Sequence, residues 1–289
     1  MELKEIEKKH KEMLWTTVRV HTDKAWGSGT VIYSKPIGKT KEYASFILTC
    51  YHVISDNIKV EKKFDQRVGY DIKKEIRTPV EVEFFYYENL SKCAGVSGSC
   101  KADIVAYDED ADIALLQIKR NSLVEYSVNI FPKDKVDEVH VFDEVYAVGA
   151  AMAHEPIATK GIINFMNEVM ERGIEYWMSN APIIFGNSGG ALYRYSKERG
   201  KYEFLGIPAR ITVNIAGFSA DPITHMGYFV PIPLIYKFLE ENFYTFIYGE
   251  GTYESCKIAR ENFKKEQEKL LVAKFGGIPE KEEEEKKKR

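Results

Sequence analysis

The sequence predicts a mostly β fold with a helix at each end, and three observations carry that expectation. First, many short runs are rich in β-branched and aromatic residues and are bounded by turn signals: TTVRVHT, GSGTVIY, ASFILTC, VEVEFFYY, DIALLQI, ITVNIAGF and MGYFVPI among them. Second, about a dozen such runs follow one another with almost no helical periodicity between them, which points to paired β-barrels or a sandwich. Third, helical spacing appears only before Trp15 and after the last strand-like run.

The helical ends follow from residue spacing. Leu3, Ile6, His10 and Leu14 recur at helical intervals among charges, so residues 1–14 are expected to form a helix. Residues 234–247, LIYKFLEENFYTFI, regain that spacing. After Gly249 and Gly251 a further helix is expected from Tyr253 to Phe275, with Cys256, Ala259, Phe263 and Leu270 along one side. The remaining tail, Gly276 to Arg289, ends in KEEEEKKKR and is expected to be disordered or frayed. The expected organisation is a helix at 1–14, a β domain at 15–248, and a helix with a charged tail at 249–289.

Composition narrows the function. The chain has 289 residues, 44% apolar and 29% charged, enough for a sizeable core. A formal net charge of −3 gives no general reason to expect nucleic acid or anionic membrane as a partner. No stretch is long and apolar enough to span a bilayer. The opening MELKEIEKKHKEMLW lacks the apolar core of a secretory signal, so a cytoplasmic protein is expected. The four cysteines, Cys50, Cys93, Cys100 and Cys256, lack zinc-ligand spacing. Cys93 and Cys100 bracket the loop CAGVSGSC, either as free thiols or as a local disulfide.

The strongest chemical signal is Gly186-Asn187-Ser188-Gly189-Gly190, set between strand-like segments. Glycines let the backbone turn until N–H groups converge on one point, where they can hold the oxyanion of an attacked carbonyl. A serine hydroxyl beside that point needs a base to become a nucleophile. Of six histidines, His52 follows the apolar strand FILTC in LTCYHVI, at a strand end facing a cleft. His10, His21, His140, His154 and His225 have no such context, although His154, in AMAHEP, is the nearest exception. An imidazole base needs an acid to orient it. Asp112 directly precedes the buried run IALLQI, where a charge requires a partner. Asp103, Asp108 and Asp110 compete for the role but do not adjoin the run.

The order His, Asp, Ser is that of the chymotrypsin fold. In that frame the phrases GSGTVIY, LTCYHVI, KADIVAYDEDADIALLQIK, VYAVGA, ATKGIINF, GNSGGALY, LGI and MGYFVPI resemble, in order, the HtrA/Deg-type branch of the trypsin-like serine peptidases. The resemblance implies two antiparallel six-stranded β-barrels and a serine endopeptidase working through an acyl-enzyme. It makes His52 the general base, Asp112 its orienting acid and Ser188 the nucleophile. The N–H groups of Gly186 and Ser188 become the oxyanion hole. Digestive relatives carry an acid at the position of Asn187 to pair with a new N-terminus, so no activation cleavage of that kind is implied.

In similar proteases the specificity pocket comes from three stretches, here Pro182, Ile183, Ile184 and Phe185; Ala209, Arg210 and Ile211; and Gly227 with Tyr228. None is acidic, so an apolar residue is expected before the scissile bond, in an extended, unfolded or flexible substrate that adds as a strand. Arg210 would favour an acid only if it turned into that pocket; otherwise it is a solvated strand residue. This mechanism needs no metal or organic cofactor. The partners expected are peptide or protein substrates, not nucleic acid or membrane, and the resemblance allows a homo-oligomer. The chain departs from the family in two ways. The residues after Tyr248 are too few for the family's PDZ domain, and the interval from Tyr51 to Lys101 is longer than the family's. The competing reading is a silent or self-limited protease-fold binding or assembly protein, although none of the three triad residues is missing.

Overall fold

The computed structural model describes residues 3–274 except 67, 120, 217 and 218, with backbone alone at 94, 171, 216 and 219. The predicted disordered tail lies outside the described residues. Contacts divide the chain into two units, Met1–Asn57 with Thr78–Phe238, and Ile58–Arg77 with Leu239–Arg289.

The first unit opens with helix α1 (Leu3–Glu12) and enters strand β1 (Thr17–His21) through a short 3-10 turn. Strands β2 (Trp26–Pro36) and β3 (Tyr43–Thr49) lead to the single turn α2 (Tyr51–Ile54), which carries His52. The hairpin β4 (Ile58–Asp65) and β5 (Tyr70–Arg77) belongs to the second unit. Strands β6 (Val80–Asn89), β7 (Lys92–Asp108) and β8 (Ile113–Ile118) complete a closed barrel in the order β1-β2-β3-β8-β7-β6. Its core is made by the β-branched and aliphatic runs: Val18, Val20, Val31, Ile47, Leu48, Val82, Leu115 and Leu116 are all buried. Strand β8 is apolar on both faces because it is covered on both, which is why IALLQI does not alternate.

The short strand β9 (Asn129–Ile130) then leads to β10 (Glu144–Gly149), β11 (Ile157–Val169), β12 (Glu175–Ser179), β13 (Ala191–Ser196), β14 (Lys201–Ala216) and β15 (Ser219–Pro231). The sheet order β13-β10-β11-β12-β15-β14, closed by the pairing of β13 with β14, makes a second six-stranded antiparallel ring. Strand β9 adds to β14 in parallel, Glu203 opposite Asn129. The two rings answer to the predicted pair of barrels, and β9, too short to show a period, was not legible in the sequence. Helix α3 (Ile232–Glu241) follows β15, and the Tyr236 hydroxyl donates to the Phe131 carbonyl at 2.5 Å.

In the second unit β4 pairs with β5 from Ile58 opposite Arg77 to Asp65 opposite Tyr70. Helix α4 (Tyr253–Lys274) matches the predicted span. The Arg260 guanidinium lies 4.1 Å from the Tyr244 ring centroid and donates to the Phe243 carbonyl at 2.5 Å. The apolar side expected for this helix is only partly buried. Cys256 and Val272 are covered, while Phe263 and Leu270 stay exposed. All four cysteines are free thiols, so Cys93 and Cys100 are not bonded.

Candidate active site

His52 is carried at the start of α2, directly after β3, and Asp112 sits in the turn that enters β8. These two strands are neighbours in the first barrel, with Thr49 opposite Ala114. Adjacent strand ends therefore deliver the two side chains together. His52 Nδ1 lies 2.8 Å from Asp112 Oδ2, and the His52 backbone N–H donates to Oδ1 at 2.9 Å. Both oxygens of a carboxylate only 7% exposed are thus engaged, while the imidazole is 49% exposed and open to a ligand. Asp112 adopts a left-handed backbone, φ 57°, a conformation that Asp and Asn tolerate better than most residues.

The competing acids are occupied elsewhere. Asp103 pairs with Lys119 at 3.0 Å, Asp108 accepts the Asp110 and Ala111 N–H groups at 2.9 Å, and Asp110 pairs with Arg172. Of the other histidines, His154 is exposed and faces Glu155 at 3.1 Å, and His10 packs against Trp15 and Tyr87.

Cys50, two residues before His52, brings a third potential ligand atom within 4.8 Å of His52 and Asp112. Metal binding would need a thiolate. Burial, reinforced by the Asp112 charge, pushes the Cys50 thiol well up, and its S–H points at the Pro208 carbonyl, 3.3 Å away. The cluster suits a neutral thiol packed behind a hydrogen-bonded imidazole–carboxylate pair better than a cation site.

Ser188 comes from the second ring, in the loop between β12 and β13. The loop is tied to the first barrel through Ser28 of β2. The Ser28 N–H donates to the Ser188 carbonyl at 2.8 Å, and its hydroxyl donates to the Gly186 carbonyl at 2.6 Å while accepting the Ala150 N–H at 2.7 Å. Within the loop, the Asn187 side-chain oxygen accepts the Ile184 N–H at 3.0 Å and the Gly189 N–H donates to the Pro208 carbonyl at 3.0 Å. Asn187 thereby closes its own turn. Among the described residues no hydrogen bond joins the Ser188 hydroxyl to the His52 ring; the two residues line one cavity.

The peptide before Gly186 has a defined orientation. The Phe185 carbonyl accepts the Met152 N–H at 2.8 Å. A trans peptide points its C=O and N–H in opposite directions, so the Gly186 N–H is turned away from the 151–153 loop. Gly186 has φ 93°, and a Cβ there would come within 2.6 Å of Met152 N, so the position requires glycine. Among the described residues, neither the Gly186 nor the Ser188 N–H has a hydrogen-bond acceptor. Two free donors beside a hydroxyl are the equipment needed to hold a developing oxyanion.

The cavity shared by His52 and Ser188 has a volume of about 430 Å³. Ile183, Ile184, Phe185, Ala209, Arg210 and Ile211 line it, as does Val213, which the sequence did not single out. Three residues expected at the pocket do not reach its wall. Pro182 is exposed, its carbonyl accepting the Thr159 hydroxyl at 2.8 Å. Gly227 lies under the Ile183 side chain, which fills the space a Cβ would take. Tyr228 sits opposite Met178 and Arg210 in the sheet. Arg210 lines the cavity half-buried, with its guanidinium laid over the Tyr176 ring, 5.2 Å from the centroid. Tyr176 is fully buried and donates to the Ala111 carbonyl at 3.2 Å, and burial pushes its phenol up to about 12. A cavity of about 780 Å³ lies beside α1, but its charges pair with one another, Lys160 with Glu144 at 2.7 Å and Arg194 with Asp143 at 2.9 Å.

Comparison with known proteins agrees with this architecture. No curated protein matches the sequence. Solved structures do. The serine endoprotease from Yersinia pestis is 22% identical with a TM-score of 0.53, over 82% of this chain and 65% of its own. The HtrA-type protease AlgW, solved with a tripeptide, is 18% identical with a TM-score of 0.54, over 83% of this chain and 63% of its own. The chain therefore spans slightly less than two thirds of the length of these structures, and at this identity the likeness is one of fold. The family model of the trypsin-like peptidase domain matches residues 27–199, more than half of the chain. With two β-rings joined at an imidazole–carboxylate pair and a glycine-framed serine, the chain belongs to the trypsin-like peptidase domain family.

Proposed function

We propose that the protein is a serine endopeptidase that cuts after apolar residues in extended, unfolded or flexible segments, with residues 15–248 as its peptidase domain. The reading rests above all on one observation: the His52–Asp112 pair at 2.8 Å shares a cavity with Ser188, whose N–H, like that of Gly186, has no acceptor among the described residues.

In this mechanism His52 takes the Ser188 proton as the hydroxyl oxygen bonds to the scissile carbonyl carbon. The carbonyl π electrons move to oxygen, and the Gly186 and Ser188 N–H groups hold that charge. Collapse expels the amine, which takes the proton from His52 and leaves an acyl-Ser188 ester. Water, deprotonated by His52, then attacks the ester and regenerates the hydroxyl. Asp112 fixes the ring with Nδ1 protonated and stabilises the imidazolium. Ile183, Ile184, Phe185 and Ile211 favour an apolar side chain before the cut bond.

Labelling with a fluorophosphonate probe, followed by a peptide-library cleavage profile of wild type beside Ser188→Ala, tests the reading. Ser188-dependent labelling and cleavage after apolar residues are expected. Absence of both would leave a protease-fold binding protein.

A further inference from the structure

We infer that Arg210 selects substrates carrying a carboxylate side chain upstream of the scissile bond, at the second or fourth residue. This deepens the peptidase reading and rests on it.

Arg210 carries an unbalanced charge. Arg19, Arg194 and Arg199 are each half-buried, and each holds a carboxylate: Glu83 at 2.5 Å, Asp143 at 2.9 Å and Glu203 at 2.8 Å. Arg210 is half-buried as well, yet no carboxylate lies within ion-pairing distance among the described residues. Its neighbours are the Tyr176 ring and the Met170 sulfur, 3.8 Å from Nη1. Asp112, which acts electrostatically on the same Tyr176, has both oxygens committed to His52. A guanidinium taken partly out of water without a counter-charge is costly, and that cost falls when a ligand brings the missing anion. Arg210 also lines the same cavity as His52 and Ser188, so the anion that reaches it arrives with the substrate.

Strand geometry identifies which substrate residue meets it. Arg210 and Ile211 pair with Tyr228 and Gly227 of β15 along one edge of β14, and their other edge has no strand partner among the described residues. A peptide added there alternates its side chains with period two. Arg210 and Ile211, in continuous register with Tyr228 and Gly227, point to opposite faces, with the Arg210 guanidinium over Tyr176. If the residue before the cut bond enters the apolar pocket at Ile183 and Ile211, the second and fourth residues upstream point to the face of Arg210. The guanidinium fork can engage a carboxylate through two N–H groups at once.

Paired peptides test this, identical except for Glu or Gln at each of the four positions upstream of the cut bond. The wild type should favour Glu over Gln in kcat/KM by about tenfold or more at the second or fourth position, equivalent to about 1.4 kcal/mol, and rising salt should weaken the preference. The Glu/Gln ratio should fall to about one in Arg210→Met, and Arg210→Glu should favour Lys instead. The same peptides titrated against Ser188→Ala read the preference as Kd without turnover, so a failure of catalysis does not mask the result. A wild type indifferent to Glu at both positions, or a preference that survives Arg210→Met, overturns the inference. Loss of Ser188-dependent labelling with the binding preference intact overturns only the peptidase reading.

Discussion

The Met152 N–H holds the Phe185 carbonyl at 2.8 Å, and this one bond determines which way the neighbouring Gly186 N–H points. The loop that supplies it is held in an unfavourable conformation. Met152 and Ala153 both have left-handed backbones, φ 52° and 58°, without being glycine. Such strain persists only where the surroundings enforce it. Gly186→Ala would place a Cβ against Met152 N, at a φ that alanine resists. The variant should fold but lose about 100- to 1000-fold in kcat, the usual cost of one oxyanion donor. Steady-state kinetics beside a thermal melt checks this; unchanged kcat in a folded variant would rule Gly186 out as a donor.

Arg19 ties this loop to β1 of the first barrel. Its guanidinium donates to the Ala153 carbonyl and pairs with Glu83 of β6 at 2.5 Å, with both side chains largely covered. Arg19→Met and Glu83→Gln should each lower kcat by roughly tenfold, while KM changes little, because the loop touches the oxyanion peptide rather than the pocket. Arg19→Lys should not restore activity, since an ammonium cannot span two acceptors as a planar fork does. Equal losses in kcat and thermal stability would mark the pair as merely structural.

Asp112 offers a clean test of the base. Asn keeps the shape and tolerates the left-handed backbone, yet it can present an N–H to His52 and favour the wrong tautomer. Asp112→Asn should lower kcat by about 10⁴-fold with little change in melting temperature. Comparable turnover in wild type and variant would remove Asp112 from the mechanism.

The parts of this molecule differ in how openly the sequence announces them. The two rings were legible because their strands are β-branched runs whose burial leaves little alternative. The hairpin β4–β5 was not, because KVEKKFD and YDIKKEIR form a mostly exposed ribbon whose charges hide the period. His52, Asp112 and Ser188 could be singled out because each adjoins an apolar run or a glycine frame. Ser28, Met152 and Arg19 could not. Ser28 acts through hydrogen bonds to residues more than 100 positions away, and nothing in Met152-Ala153 signals positive φ. The partners of Arg210 were equally hidden, since alternation along a strand gives a side chain's face but not its neighbours.

Alkaline pH should expose the buried tyrosines. Tyr176 and Tyr193 are fully buried, and burial is the leading cause that raises both phenols, Tyr176 to about 12. The reference phenol in an unfolded chain titrates at 10.0. The folded state therefore keeps these groups neutral while the unfolded state ionises, so the stability they contribute is complete below pH 10 and is lost as pH rises toward the folded values. Melting temperature should be level below that point and fall steeply above it, with tyrosinate absorbance rising only on unfolding. Tyr193 also shares a 2.7 Å hydrogen bond with Thr16 that anchors the segment before β1. Tyr193→Phe should cost about 1 kcal/mol at neutral pH, yet show a shallower alkaline decline, because one group that favours the unfolded state at high pH is gone. An identical alkaline slope in the two proteins would show that Tyr193 does not couple folding to pH.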